Sequence, residues 1–201
     1  MGSQWSRDPV YRTAMGEGYR SRASYKLIDI QSRFGIIRPT DNIIDLGSAP
    51  GSWLQVLCSQ TEGSVVGIDL NPVAPLDGAV TLTGDFSEPH ILDEVREIMD
   101  YASVVTCDAS PKLSGNKSYD QARIIDLNEK ALAFACAILK QGGNFVVKTF
   151  QGDMFPDFLH EVRNHFYSVR VYRTKATRRG STETYIIAKN YILRRNETGP
   201  D

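Results

Sequence analysis

The chain contains no apolar run close to the roughly 20 residues of a membrane-spanning helix, which excludes an integral helical membrane protein. Cysteine is scarce. Cys58, Cys107 and Cys136 are an odd, scattered set without a C-x-x-C, so neither a zinc site nor a disulfide framework is indicated. Cys107 and Cys136 lie in apolar stretches and read as small core residues, which fits a reducing cytoplasm. No apolar segment of secretory type follows Met1. His90, His160 and His165 show no metal spacing, and no metal site is expected. There is no G-x-G-x-x-G, and no repeat or linker separates a second domain. With 201 residues, the chain is expected to form one unit with a sizeable core and to act as a monomer. Residues 1–20 and 190–201 are expected to be loosely ordered.

What is present is the run NIIDLGSAPGSW at 42–53. Ile43, Ile44 and Leu46 read as a buried strand carrying Asp45, which then breaks into a glycine-containing turn. Gly47 and Gly51 permit a tight turn and close approach of backbone to ligand. One strand later Asp69 closes an apolar run, about 20 positions on, where a carboxylate accepts from ribose hydroxyls. Asp85 follows in GDF. Pro50 removes a backbone donor from the turn. A pyrophosphate requires several such donors. The pattern therefore favours S-adenosylmethionine over a nicotinamide dinucleotide.

Strand-like and helix-like segments alternate, the pattern of an α/β fold with a mostly parallel sheet and helices on both faces. Helices are expected near 22–34, 120–141 and 154–165, the second ending at Gly142-Gly143. Strands are expected near 42–47, 64–69, 79–83, 103–108 and 144–150. Two more, near 167–174 and 183–189, would form an antiparallel hairpin around the basic turn TKATRRGST.

The formal net charge of −1 hides an asymmetry. Residues 1–40 carry +4 and residues 170–201 carry +5, so the middle is strongly acidic. Basic ends around an acidic body point to a polyanion such as RNA. Arg20 and Arg22 alternate with Tyr19 and Tyr25, mixing charge with stacking surface, and Arg178 and Arg179 crown the basic turn. All four arginines are candidate phosphate contacts.

Functional side chains in such folds sit at the carboxyl ends of strands. Asp108 closes SVVTCD, and Lys148 lies within the apolar NFVVKTF, where a charged amine is costly to bury. A buried amine at a strand end is a candidate general base.

The set SRASYKL, DLGSAPGSW, CDASPKLSG, NFVVKTFQG and STETY resembles the FtsJ/RrmJ family of ribose 2′-O-methyltransferases, of the RlmE type, over nearly the whole chain. The resemblance implies a Rossmann-like methyltransferase fold with a seven-stranded sheet whose last strand runs antiparallel. It implies a catalytic tetrad on Lys26, Asp108, Lys148 and Glu183, with Lys148 as base. It also implies a cofactor site drawing on Asp45, Gly47, Gly51, Trp53, Asp69, Asp85 and Asp108. The short form resembles members acting on large-subunit ribosomal RNA, with a uridine ribose as the expected target. Methylation of tRNA, and a non-catalytic role in ribosome assembly, are the rival readings.

Overall fold

In the computed structural model, residues 9–112, 114–177 and 180–193 are described. The elements, in chain order, are α1 (Pro9–Gly16), α2 (Ser24–Phe34), β1 (Ile43–Leu46), α3 (Ser52–Gln60), β2 (Val65–Asp69), β3 (Ala79–Thr83) and α4 (Pro89–Ile98). They continue with β4 (Ala102–Cys107), α5 (Lys117–Ile138), β5 (Leu139–Phe150), α6 (Phe155–His165), β6 (Phe166–Tyr172) and β7 (Glu183–Tyr191).

The strands form one seven-stranded sheet in the order β3-β2-β1-β4-β5-β7-β6. Pairing is parallel from β3 through β5, and β7 runs antiparallel between β5 and β6. This is the Rossmann-like sheet with an antiparallel last strand that the resemblance implies. The order reverses between β1 and β4, where such sheets open a crevice for a ligand.

Strand alternation separates two cores. Ile44, Leu46, Val105, Cys107, Phe145 and Val147 face α4, α5 and α6. Ile43, Val104, Val146, Tyr185 and Ile187 face α2 and α3. Both faces are covered, which is why β1 and β4 are buried throughout. Cys107 is buried, as expected, and Cys136 packs against the first core.

Several expectations are corrected. Residues 9–16 form a helix within the stretch expected to be loose, and β7 extends to Tyr191, inside the expected tail. Residues 1–8 and 194–201 lie outside the described residues. The long helix begins and ends three residues early. Asn116 caps it, with its side chain accepting from Tyr119 N. At the other end Leu139 is already extended and pairs with Ala102 of β4. The glycine pair expected to stop the helix lies inside β5 instead. Gly142 (φ 78°) bends the strand where the register with β4 shifts between Ala102 and Val104. Helix α4, absent from the sequence reading, has its own signals: a proline in the first turn, and Ile91 and Val95 buried four apart.

Phe145 is fully buried and stacks on Phe166 at 6.1 Å between ring centroids. Phe145→Ala is expected to destabilise the chain by ~3–5 kcal/mol in equilibrium denaturant unfolding. A loss below ~1 kcal/mol would mean this side of the sheet repacks freely.

Candidate active site

Two parts of a site meet at the carboxyl end of the sheet. The first is a cavity of about 420 Å³. It is lined by Gly47 after β1, Asp69 and Asn71 after β2, Asp85 after β3, and Asp108 after β4. Arg123 and Asp126 of α5 close the far wall. Each strand simply ends where its functional residue is needed.

Backbone geometry brings the first loop close. Gly47 has φ 73°, and a Cβ there would stand 2.5 Å from Cβ of Ala109. The loop is tied to β2, because Asp69 Oδ2 accepts from Ala49 N at 3.0 Å. Asp69 Oδ1 accepts from Asn71 N at 2.8 Å, which sets the carboxylate's orientation. Asp85 Oδ1 accepts from Ser87 N at 2.8 Å. These hydrogen bonds hold its carboxyl below the usual carboxylate value.

The second part is a set of paired charges beside the cavity. Lys26 Nζ lies 2.7 Å from Glu183 Oε1, and Lys148 Nζ lies 3.4 Å from Asp108 Oδ1. Lys148 also donates to the backbone carbonyl of Asp108. Tyr185 stands between the pairs. Its hydroxyl donates to Asp108 Oδ1 at 2.7 Å, and the Lys26 amine lies 5.8 Å from its ring centroid. The phenol is fully buried, and burial followed by the Asp108 charge pushes its pKa well above the ordinary value. It therefore acts as a fixed hydrogen-bond donor.

Register explains the grouping. Lys148 is opposite Tyr185, and Glu183 is two residues along the same strand, so all three share one face. Asp108 follows Thr106 by two and shares that face. Lys26 reaches it from α2, and Trp53 stacks on Tyr185 at 5.9 Å while donating Nε1 to the Ala23 carbonyl. A small pocket lined by Ser21, Gly47, Trp53 and Asp108 joins the two parts.

The residues named from sequence thus fall into distinct places. Gly47, Asp69, Asp85 and Asp108 line the cavity, and Lys26, Lys148 and Glu183 join Asp108 beside it. Gly51 and Trp53 begin α3 at the edge of the small pocket. Asp45 does not line either. It lies 1% exposed beneath the loop, where Thr106 Oγ1 donates to its Oδ1 at 2.7 Å and its Oδ2 has no partner. Burial pushes its carboxyl up to about 8, helped by the charges of Asp108 and Asp69 and opposed by the Thr106 hydrogen bond.

The arginines named from sequence fall in different places. Arg20 is engaged by its own chain, donating to the carbonyls of Pro50, Ala74 and Pro75 at 3.0, 2.9 and 2.7 Å. It clamps the loop after β1 to the loop after β2 with three of its five donors. Arg22 donates to the Ala176 carbonyl in the β6–β7 loop. Arg178 and Arg179 lie outside the described residues. Residues on either side of position 113 are anchored: Asp120 accepts from Ser114 N and Gly115 N, and Arg123 donates to the Lys112 carbonyl. Sequence reading missed Tyr185 and Arg123. The spacing of Tyr185, two after Glu183 on a strand, was the available signal. Arg123 had none, because only the packing of α5 brings it to the cavity.

The class follows from the sheet and the site taken with the family: an α/β sheet with a carboxylate-lined cavity at its switch point and two lysine–carboxylate pairs beside it. Residues 19–191 match the FtsJ-like methyltransferase family, and the chain belongs to it. It is 63% identical over 192 residues to the Ribosomal RNA large subunit methyltransferase E of Methanoculleus marisnigri, covering 95% of each chain. Identity to the protein of the same name from Methanocorpusculum labreanum is 62%, covering 96% of this chain and 95% of that one. A crystal structure assigned as a ribosomal RNA methyltransferase of Plasmodium falciparum superposes with a TM-score of 0.78 at 25% identity, covering 86% of this chain and 98% of that one. Among the described residues no cluster fit to hold a metal occurs, and no helix is long and apolar enough to cross a membrane.

Asp45 gives a pH test. Its folded-state value is raised above the ordinary ~3.9, so the folded chain holds this proton longer than the unfolded chain. Stability is greatest below about pH 4 for this group and is lost as pH rises to about 8. In Asp45→Asn that loss, on the order of 5 kcal/mol, is removed. Denaturant midpoints at pH 5 and pH 9 should therefore diverge in the wild type more than in the variant. Parallel changes in both would show that Asp45 is already ionised when buried.

Proposed function

We propose that this protein transfers a methyl group from S-adenosylmethionine to a ribose 2′-hydroxyl, of a uridine, in large-subunit ribosomal RNA. One observation carries the reading: two lysine–carboxylate pairs, Lys26–Glu183 and Lys148–Asp108, converge beside a cavity at the switch point of the sheet. The names of the relatives supply the choice of RNA over other hydroxyl-bearing substrates.

The cavity suits the cofactor. Asp69, Asp85, Asp108 and Asp126 line it against a single guanidinium, Arg123. That excess of negative charge favours a cationic ligand and disfavours a pyrophosphate. Asp69 is placed for the ribose hydroxyls and Asp85 for the adenine amino edge, while Gly47 admits the ligand close to the backbone. When bound, S-adenosylmethionine supplies a methyl group activated by a positively charged sulfur.

The chain's own residues do the rest. A ribose hydroxyl is a poor nucleophile while protonated. Lys148, in its neutral amine form and oriented by Asp108, is the base that takes its proton and becomes the ammonium that Asp108 then pairs. Lys26 and Glu183 position the hydroxyl oxygen, and Tyr185 holds Asp108 in place. Positioning two reacting groups in line is itself worth ~7–11 kcal/mol in favourable cases. Arg22, Arg178 and Arg179 contact RNA phosphates around the β6–β7 loop. We further propose that the chain works as a monomer in the cytoplasm.

Lys148→Ala should lower single-turnover transfer of labelled methyl to large-subunit particles by at least ~10²-fold while leaving cofactor affinity intact. Near-wild-type transfer would remove Lys148 as the base. Label appearing only in tRNA would redirect the target. Label in no RNA fraction, with tight cofactor binding, would favour the assembly-factor reading. Arg20→Met should weaken cofactor binding in calorimetry about tenfold, because it frees three carbonyls of the two loops. The salt dependence of RNA binding should keep its slope. A shallower slope with normal cofactor affinity would return Arg20 to the RNA surface.

A further inference from the structure

At the opposite end of the sheet, away from the methyl-transfer site, lies a second cavity of about 230 Å³. Its wall is made by the turn after α2 (Gly35, Arg38, Asp41), the start of β4 (Ser103), the start of β5 (Lys140, Gly142, Asn144) and the end of β7 (Lys189, Asn190). Four segments distant in sequence therefore converge on it.

The chemistry of the lining is one-sided. Arg38, Lys140 and Lys189 supply three cations, and no ion pair links any of them to a carboxylate among the described residues. Lys189 Nζ donates to the Phe34 carbonyl at 2.9 Å, which fixes its ammonium at the wall with further donors to offer. Lys140 lies 5.3 Å from the Tyr101 ring centroid. Asp41 is the one acid, and its Oδ2 accepts from Arg38 N at 2.8 Å, shaping the turn. The cations outnumber it three to one.

A second feature points to a ligand. Ser103 is only 4% exposed, its hydroxyl oxygen is fully buried, and it has no hydrogen-bond partner. A buried hydroxyl without a partner is costly unless something satisfies it. It lines this same cavity. Asn190, with φ 63°, and Gly142, with φ 78°, both turn the main chain in the left-handed region at the rim. A non-glycine residue held there is a feature of ligand-shaping turns.

We propose that this cavity binds a phosphate group, with Arg38, Lys140 and Lys189 as its cations and Ser103 as the buried hydrogen-bond donor. Two sources share that chemistry: a backbone phosphate of bound RNA, and a free phosphate-type anion. The site stands independently of the methyl-transfer reading, because none of its residues touches the cavity that holds the cofactor.

The test uses the full chain and inorganic phosphate exchanged for chloride at constant ionic strength. Phosphate should raise Tm in the wild type, as a ligand of the folded state does. Arg38→Gln/Lys140→Gln should abolish the rise. Ser103→Ala, which changes no charge, should weaken phosphate binding about tenfold in calorimetry. A parallel arm measures binding to a large-subunit RNA transcript across salt. If RNA is the source, the double variant loses affinity and its salt slope shrinks by about 1–2, with cofactor affinity unchanged. A response in the phosphate arm alone identifies a free anion. Ser103→Ala behaving as wild type in both arms would overturn the proposal, leaving only a diffuse basic surface. So would a phosphate effect that survives in the double variant.

Discussion

An amine at the end of a buried central strand must be given acceptors and a counter-charge, and much of this structure follows from meeting that need for Lys148. Its side chain is only 10% exposed, so water cannot solvate the charge well. Asp108 meets the amine with both its carboxylate and its backbone carbonyl. The carboxylate then needs its own orientation, which comes from the Tyr185 hydroxyl. Tyr185 in turn is held by Trp53, and Trp53 by the Ala23 carbonyl at the start of α2. That chain of contacts leads to Lys26 and Glu183. A charged amine placed in the core thus recruits α2, α3, β4, β5 and β7 to one point.

The cavity side obeys a different constraint, close approach without a side chain in the way. Gly47 leaves no room for a Cβ against Ala109, so the loop after β1 and the loop after β4 run together as two walls of one crevice. Arg20 then joins the far end of the first loop to the segment after β2 through three carbonyls. At least one charge of the N-terminal segment therefore serves the loop after β1. The abundance of charge in residues 1–40 is not a reliable guide to what meets RNA.

Legibility in the sequence divided along physical lines. The seven strands were readable because short apolar runs bounded by turns leave few alternatives, and their bounds fell within about two residues in most cases. The end of α5 was misplaced because glycine is only a local signal. The Leu139 pairing with Ala102 is a long-range contact that overrides it. Asp45 was grouped with the cofactor residues because it sits two positions from Gly47. Strand alternation turns it to the α2–α3 side, beneath the loop, where Thr106 meets it. The basic cavity at the other end of the sheet left no mark in any motif, since its walls come from four separate segments.

The sequence by itself determined the order of the elements, the glycine turn and the residue types at strand ends, because these depend on spacing and local conformation. It also carried the family membership, through motifs whose members lie far apart in the chain. Only the tertiary structure decided which lysine meets which carboxylate, that Tyr185 links the two pairs, that Asp45 is buried under the loop and that Arg20 ties two loops together. Those outcomes depend on strand register and helix docking. Both are set by long-range packing of two cores on a shared sheet, and no local window of residues contains them.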